Sequence, residues 1–220
     1  SFCNREYLPV DTKNTAFRAA QYFLSAAASR GRAFPSTSAS DIPSRAGMGG
    51  GSADAAAVLH GLNQMFRAGL PLEAWWSWAP KWGPTCLLCG GRGLPLPGHW
   101  GTGGKGAPAA RVLAGAVQAP RGDEHAPGLR LIDQFPLSRA RATEKMVSLL
   151  AGGDLRRIGE GVANRFDETM KLQQVREIKR VMQAAGTFGA SMTGSGSAVF
   201  GLFPTEEAAR ACMQQLEGQA

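Results

Sequence analysis

Cysteine and histidine are sparse in this 220-residue chain, and no long apolar run interrupts it. The four cysteines, Cys3, Cys86, Cys89 and Cys212, are too few and too scattered for the disulfide framework of a small secreted domain, which points to a reducing compartment. Cys86 and Cys89 form one Cys-x-x-Cys, but a zinc site takes about four ligands, and neither a second pair nor a histidine pair follows at suitable spacing. The two read as ordinary thiols. No stretch reaches the roughly 18 apolar residues that a membrane helix requires. No basic segment leads into an apolar one at the start of the chain, so a cytoplasmic location without membrane association is expected.

What is present is an ordinary globular composition, 44% apolar, enough to bury a core in one large or two small domains. The net charge of +7 would suit a nucleic-acid partner, yet its distribution argues otherwise. Between Trp75 and Leu131 six basic residues (Lys81, Arg92, Lys105, Arg111, Arg121, Arg130) stand against two acids, Asp123 and Glu124. Residues 29–40 add Arg30 and Arg32 with no acid. Nearly all the excess charge therefore lies in two segments that carry no stacking motif, and no nucleic-acid partner is expected.

Apolar spacing predicts a helix over 12–28, with Asp11 and Asn14 as capping residues and Ala16, Ala20, Phe23 and Ala27 on one face. A loop over 41–51 is too glycine-rich for a helix or a strand, and a helix opens at Ser52 and runs to about Phe66. From Trp75 to Arg130 there are 12 glycines, 7 prolines and all five tryptophans, with no sustained period, and no element is predicted there. Helices are predicted at 142–150, 155–166 and 175–185. The run from Gly189 to Phe203 reads as small residues making a turn followed by an apolar strand, and Thr205-Glu206-Glu207 as the cap of a last helix through Leu216. Helix, glycine turn, strand and helix in that order suit a sandwich of helices on a sheet.

A glycine loop that opens a helix is suited to polyphosphate, because glycine lets the backbone come close and the free N–H groups of the first turn face the anion. Gly47 to Ser52 meet that requirement. The loop is not a Walker loop, lacking the Gly-Lys-Ser/Thr ending, nor a Gly-x-Gly-x-x-Gly after a strand. A tightly packed helix start is the plain alternative, and composition alone leaves both open.

The run Pro43-Ser44-Arg45-Ala46-Gly47-Met48-Gly49-Gly50-Gly51-Ser52-Ala53-Asp54-Ala55-Ala56 resembles the second motif of the GHMP kinases, in the form used by the 4-diphosphocytidyl-2-C-methylerythritol kinases. The triple glycine followed by Ser-Ala-Asp-Ala-Ala is the specific part, since homoserine and mevalonate kinases usually show Gly-Ser-Ser-Ala there. Met192-Thr193-Gly194-Ser195-Gly196-Ser197-Ala198-Val199-Phe200-Gly201-Leu202-Phe203 is similar to the third motif, which in that family lies beside the nucleotide loop. Leu8-Pro9, Lys13-Asn14 and Asn63 also fall where relatives have them.

The resemblance implies an α+β, two-domain fold: a partial N-terminal βα domain over 1–104 carrying the phosphate loop, and a ferredoxin-like C-terminal domain over 105–220. It implies ATP and Mg²⁺ as cofactors, with Pro43 to Ala53 holding the nucleotide and Ser52 as a metal or phosphate contact. Thr193, Gly194, Ser195 and Gly196 are implied on the phosphate or substrate side. The partner would be a small molecule, 4-diphosphocytidyl-2-C-methylerythritol, whose 2-hydroxyl accepts the γ-phosphate. A monomer or homodimer is expected.

Two departures from the family pattern follow. The family's catalytic Lys lies on a first strand that would precede residue 1. The family's Asp lies in a Gly-Ala-Asp-Val-Pro-Phe-Cys segment, where this chain has Gly83-Pro84-Thr85-Cys86, and Thr85 has no carboxylate to take a proton. Residues 74–86 can be back-translated so that a shifted frame reads Leu-Val-Glu-Leu-Gly-Ala-Lys-Val-Gly-Ala-Asp-Val, with the acid falling at position 85. Residues 31–40 and 122–130 can likewise hide Gly-Ile-Pro-Ile-His-Ile-Arg-Lys and Gly-Met-Ser-Thr-Pro-Arg-Ala-Tyr. The expectation is a truncated kinase with frame-displaced segments at 29–40 and 74–131 and impaired activity. Its rivals are a non-catalytic nucleotide-binding module and another GHMP enzyme such as a homoserine kinase.

Overall fold

The computed structural model describes residues 2–3, 9, 11–26, 37–38, 42, 46–71, 113–119 and 142–218. The chain divides into two compact units, one of residues 1–44 and 49–106, the other of residues 45–48 and 107–220. Among the described residues no helix is long and apolar enough to cross a membrane.

The first unit contains β1 (Phe2–Cys3), α1 (Thr15–Ala26), β2 (Thr37–Ser38) and α2 (Gly50–Met65). Strands β1 and β2 pair in parallel, Phe2 beside Thr37. Asn14 sets the start of α1: its Oδ1 accepts from the Ala16 N–H at 2.8 Å, and its Nδ2 donates to the Pro9 carbonyl at 2.8 Å. Such a cap satisfies a first-turn donor that the helix cannot. Ala19 and Phe23 of α1 are buried with Ala55, Ala56, Leu59 and Leu62 of α2. Alanines on the facing surfaces let the two axes approach, and the Phe23 ring lies 6.3 Å from that of Phe66. Beyond α2, Asn63 holds the chain in a two-way exchange, donating to the Leu70 carbonyl at 2.9 Å and accepting from its N–H at 3.0 Å.

The second unit contains β3 (Leu113–Gln118), α3 (Ala142–Gly152), α4 (Leu155–Gly161), α5 (Arg165–Met170), α6 (Gln173–Ala184), β4 (Gly189–Met192), β5 (Ala198–Phe203) and α7 (Glu206–Glu217). Its sheet has the order β3-β5-β4, antiparallel throughout, with Leu113 opposite Phe203, Gln118 opposite Ala198 and Met192 opposite Val199. The core joins Val175, Val181 and Met182 of α6 and Cys212 and Leu216 of α7 to Met192, Val199 and Phe203 of the sheet. The apolar residues of α6 recur at helical spacing, which is why one side of that helix is buried and the other charged. Helices on an antiparallel sheet in the second unit, and a helix pair with a short strand pair in the first, make the α+β class expected from the sequence.

Three local expectations are corrected. Strand β3 lies inside the stretch where no element is predicted. Leu-Ala-Gly-Ala-Val-Gln has little strand propensity of its own, and β5 supplies the whole ladder it pairs with. Gly189 to Met192 form strand β4 rather than part of a turn, again through pairing with β5. The single helix expected over 155–166 is two, because Val162 turns extended (φ −64°, ψ 133°) and Asn164 caps α5 with its own side chain.

Candidate functional site

Between β4 and β5 the chain reverses over Thr193 to Ser197. Gly194 (φ 54°) and Gly196 (φ 87°) adopt left-handed backbone angles that side-chain-bearing residues rarely take. The Thr193 N–H donates to the Ala198 carbonyl at 2.8 Å, and the Gly196 N–H to the Thr193 carbonyl at 2.9 Å.

Within the same unit this turn holds the described start of the glycine loop. Thr193 Oγ1 donates to the Gly47 carbonyl at 3.0 Å, and the Ala198 N–H donates to the Ala46 carbonyl, also at 3.0 Å. Gly47 has φ 75°, and a Cβ placed there would lie 2.1 Å from the Thr193 carbonyl oxygen. A Cβ on Gly194 would lie 2.8 Å from the Gly47 oxygen. The two backbones are in direct contact, so only glycine fits at Gly47. Two motifs 146 residues apart are thereby brought together.

Three further ties, none expected from the sequence, hold the turn. Asn164 Nδ2 donates to the carbonyls of Met192 at 2.5 Å and Gly194 at 2.8 Å, while its Oδ1 accepts from the Phe166 N–H at 2.8 Å. Asp167 is ion-paired to Lys179 at 2.7 Å and faces the Met192 N–H at 3.5 Å. Ser197 Oγ, buried, donates to the Ala119 carbonyl at 3.0 Å, linking the turn to the end of β3. Asn164 was hidden because periodicity runs one helix through it; the signal was a capping residue followed by Asp167 and Glu168, the acidic first turn of a new helix. A cavity of about 490 Å³ opens beside it, lined in part by Asn164, Asp167, Lys171, Arg176, Lys179 and Ser191.

In the first unit the loop continues into α2. Gly49 is its N-terminal cap residue in left-handed geometry (φ 73°, ψ 19°) and supplies no side-chain cap, so none of the first-turn N–H groups of Gly50, Gly51 and Ser52 is capped by it. A Cβ at Gly50 would meet the Ile42 side chain at 3.1 Å, and one at Gly51 would meet Thr15 Oγ1 at 3.2 Å. A helix start that receives no side-chain cap from its own N-cap residue, preceded by left-handed glycines, fits an anionic phosphate group. Ser52 is half-buried in that first turn, with Ala53 following. Pro43, Ser44, Arg45 and Thr85 lie outside the described residues. Among the described residues no three His, Cys, Asp or Glu side chains are grouped so as to hold a metal ion.

Two family models match the chain: the N-terminal domain of the GHMP kinases over residues 14–86, which includes both α1 and α2, and their C-terminal domain over residues 146–219, which takes in β4, its turn and β5. Fold and loop together thus define a small-molecule kinase of the phosphotransferase class. A 4-diphosphocytidyl-2-C-methyl-D-erythritol kinase of Clostridium botulinum (strain Eklund 17B / Type B) is 27% identical, matching 98% of this chain and 78% of the relative. A Staphylococcus aureus (strain bovine RF122 / ET3-1) protein provisionally given the same name is 30% identical, matching 96% of this chain and 76% of the relative. The chain belongs to the 4-diphosphocytidyl-2-C-methyl-D-erythritol kinase family of GHMP kinases. Solved structures share the fold at lower identity. A 4-(cytidine 5'-diphospho)-2C-methyl-D-erythritol kinase aligns with TM-score 0.68 and 24% identity, over 99% of this chain and 78% of the other. A homoserine kinase from Cytophaga hutchinsonii aligns with TM-score 0.71 and 18% identity, over 97% and 75%.

Proposed function

We propose that the loop from Pro43 to Ala53 holds the phosphates of ATP, and that the reaction this chain is built for is transfer of the γ-phosphate to the 2-hydroxyl of 4-diphosphocytidyl-2-C-methylerythritol, a step of non-mevalonate isoprenoid precursor synthesis. The observation that supports it is the backbone contact of Gly47 with Thr193 and Gly194, which joins the two motifs that carry the family resemblance. In this reading residues 1–104 form the nucleotide-binding domain and residues 105–220 the C-terminal one. The N–H groups at the start of α2 hold the anion, and Thr193 to Gly196 keep the loop's entry in place. The Ser52 hydroxyl would contact Mg²⁺, which when bound would neutralise charge on the phosphates.

In the transfer, the bond from the γ-phosphorus to the bridging oxygen breaks, a bond to the acceptor oxygen forms, ADP leaves and the hydroxyl proton passes to a base. Position 85, where the family pattern has Asp, carries a threonine hydroxyl that is far too weak a base for that proton. Turnover at or near background is therefore the expectation for the chain as it stands. The same threonine favours a second reading, a nucleotide-binding protein without transfer.

The test is titration calorimetry with Mg-ATP alongside a coupled assay for ADP release with 4-diphosphocytidyl-2-C-methylerythritol, homoserine serving as the competing acceptor. Saturable ATP binding with background turnover is expected. Replacement of residues 75–86 by Leu-Val-Glu-Leu-Gly-Ala-Lys-Val-Gly-Ala-Asp-Val should raise turnover with the cytidyl substrate and not with homoserine. Binding with no gain on replacement supports the non-catalytic reading, and absence of ATP binding overturns both.

A further inference from the structure

The three described helix starts in the second unit that are capped by a side chain use three different residues: Asp154 for α4, Asn164 for α5 and Thr205 for α7. As caps these are close to interchangeable, because each needs only an oxygen to accept a first-turn N–H. Asn164 is different in what its other atom does. Its amide nitrogen has two N–H donors, and both are used, on the carbonyls of Met192 and Gly194, which lie on either side of Thr193. Asp and Thr at this position could cap α5 equally well and could not hold both carbonyls.

Thr193 is in turn the residue whose hydroxyl holds the Gly47 carbonyl. Next to it, the Ala198 N–H holds the Ala46 carbonyl. The position of the loop's entry is therefore set by a turn that is itself gripped from beneath by one side chain. Neither Asn164 nor α5 belongs to the glycine loop or to the glycine turn in sequence. Asp167, one helical turn further on in α5, holds the strand end of the same turn through the Met192 N–H and is itself fixed by Lys179.

We propose that Asn164 is a positioning residue for nucleotide binding: by donating to the carbonyls on both sides of Thr193 it fixes the turn that seats Ala46 and Gly47. The proposal rests on the reading that the loop binds nucleotide. Asn164 touches no substrate in this scheme and acts through Thr193.

Asn164→Asp is the informative variant, because it keeps the oxygen that caps α5 and replaces both donors by an acceptor facing two carbonyls. The full chain carrying this change should bind ADP, used as the probe, on the order of tenfold to a hundredfold more weakly than the wild type, the loss of two hydrogen bonds of ordinary net strength. Asp154→Ala, which removes a cap of the same kind elsewhere, should lower the melting temperature and leave ADP affinity unchanged. Protonating the introduced carboxyl restores one donor, so the affinity gap between wild type and Asn164→Asp should narrow as pH falls from about 6 toward about 4.

Equal ADP affinity in Asn164→Asp and wild type overturns the proposal, as does a loss in Asp154→Ala that matches it. Hydrogen exchange separates this from failure of the nucleotide reading. If the wild type does not bind ADP at all, that reading fails, while the positioning role is read at the Ala198 amide, which donates to Ala46. Faster exchange there in Asn164→Asp, and not in Asp154→Ala, is the expected result; unchanged protection overturns it.

Discussion

The helix pair of the first unit and the glycine turn of the second are held by different physics. Helices α1 and α2 meet through alanines, leucines and Phe23, and their contact is non-directional, scaling with apolar area removed from water. The turn between β4 and β5 is held by donors and acceptors from β3, α5 and the glycine loop, with directional bonds and almost no apolar area of its own. Loss of area lowers stability across a unit, whereas loss of a directional bond moves one short segment. The phosphate seat proposed for the loop would need the second kind of control, because a backbone carbonyl misplaced by a fraction of an ångström alters the neighbouring N–H groups as well.

This contrast can be broken at its sharpest point by Gly47→Ala. The added methyl has no room, with the Thr193 carbonyl 2.1 Å away, and the left-handed backbone adds roughly 1–2 kcal/mol of its own. Nucleotide binding should fall below detection in calorimetry while the far-ultraviolet helix signal persists. Phe23→Ala should do the reverse. Phe23 is fully buried, and removing it costs about 3–5 kcal/mol, read as a lower urea midpoint for the α1–α2 amides, with exchange protection of β5 retained.

Smaller effects sharpen the same comparison. Thr193→Val keeps the shape and removes the hydroxyl that donates to Gly47; a loss of about 1 kcal/mol, or roughly fivefold in nucleotide affinity, is expected, with a melting temperature close to wild type. The smallest effect is on pH dependence. Glu177 is held below the ordinary carboxylate range by its hydrogen bond and charge interaction with Arg180. Glu207 is held below it by its own backbone N–H and then the Thr205 hydroxyl. A depressed folded value means that the stabilisation is present above the unfolded value and is lost as pH falls through the folded one. Both groups are on the surface, so a slight drop in melting temperature below about pH 4.5 is expected, and Glu177→Gln with Glu207→Gln should flatten it.

How much of this was legible depended on whether the cause was local. Helix α6 announced itself through Val175, Ile178, Val181 and Met182, and α1 through Asn14 and the alanines after it, because side chains at helical spacing encode one buried face directly. Strand β3 did not, since Leu113 to Gln118 become a strand only against β5. The break at Val162 was equally silent, for the apolar residues on either side keep a helical period across it. Of the site, the glycine loop and the Thr-Gly-Ser-Gly turn were readable as motifs, and Asn164 was not, being an ordinary cap by every local rule.

By itself the amino-acid sequence determined the helices with a one-sided apolar pattern, the glycines that allow left-handed backbone, and the family to which the two motifs belong. Each of these is a property of a residue and its near neighbours. Only the tertiary structure decided that Gly47 lies on Thr193, that β3 is a strand, and that Asn164 spends both donors on the turn. Those outcomes depend on groups far apart along the chain, whose pairing is chosen by close backbone approach and by the requirement that buried carbonyls and N–H groups find partners.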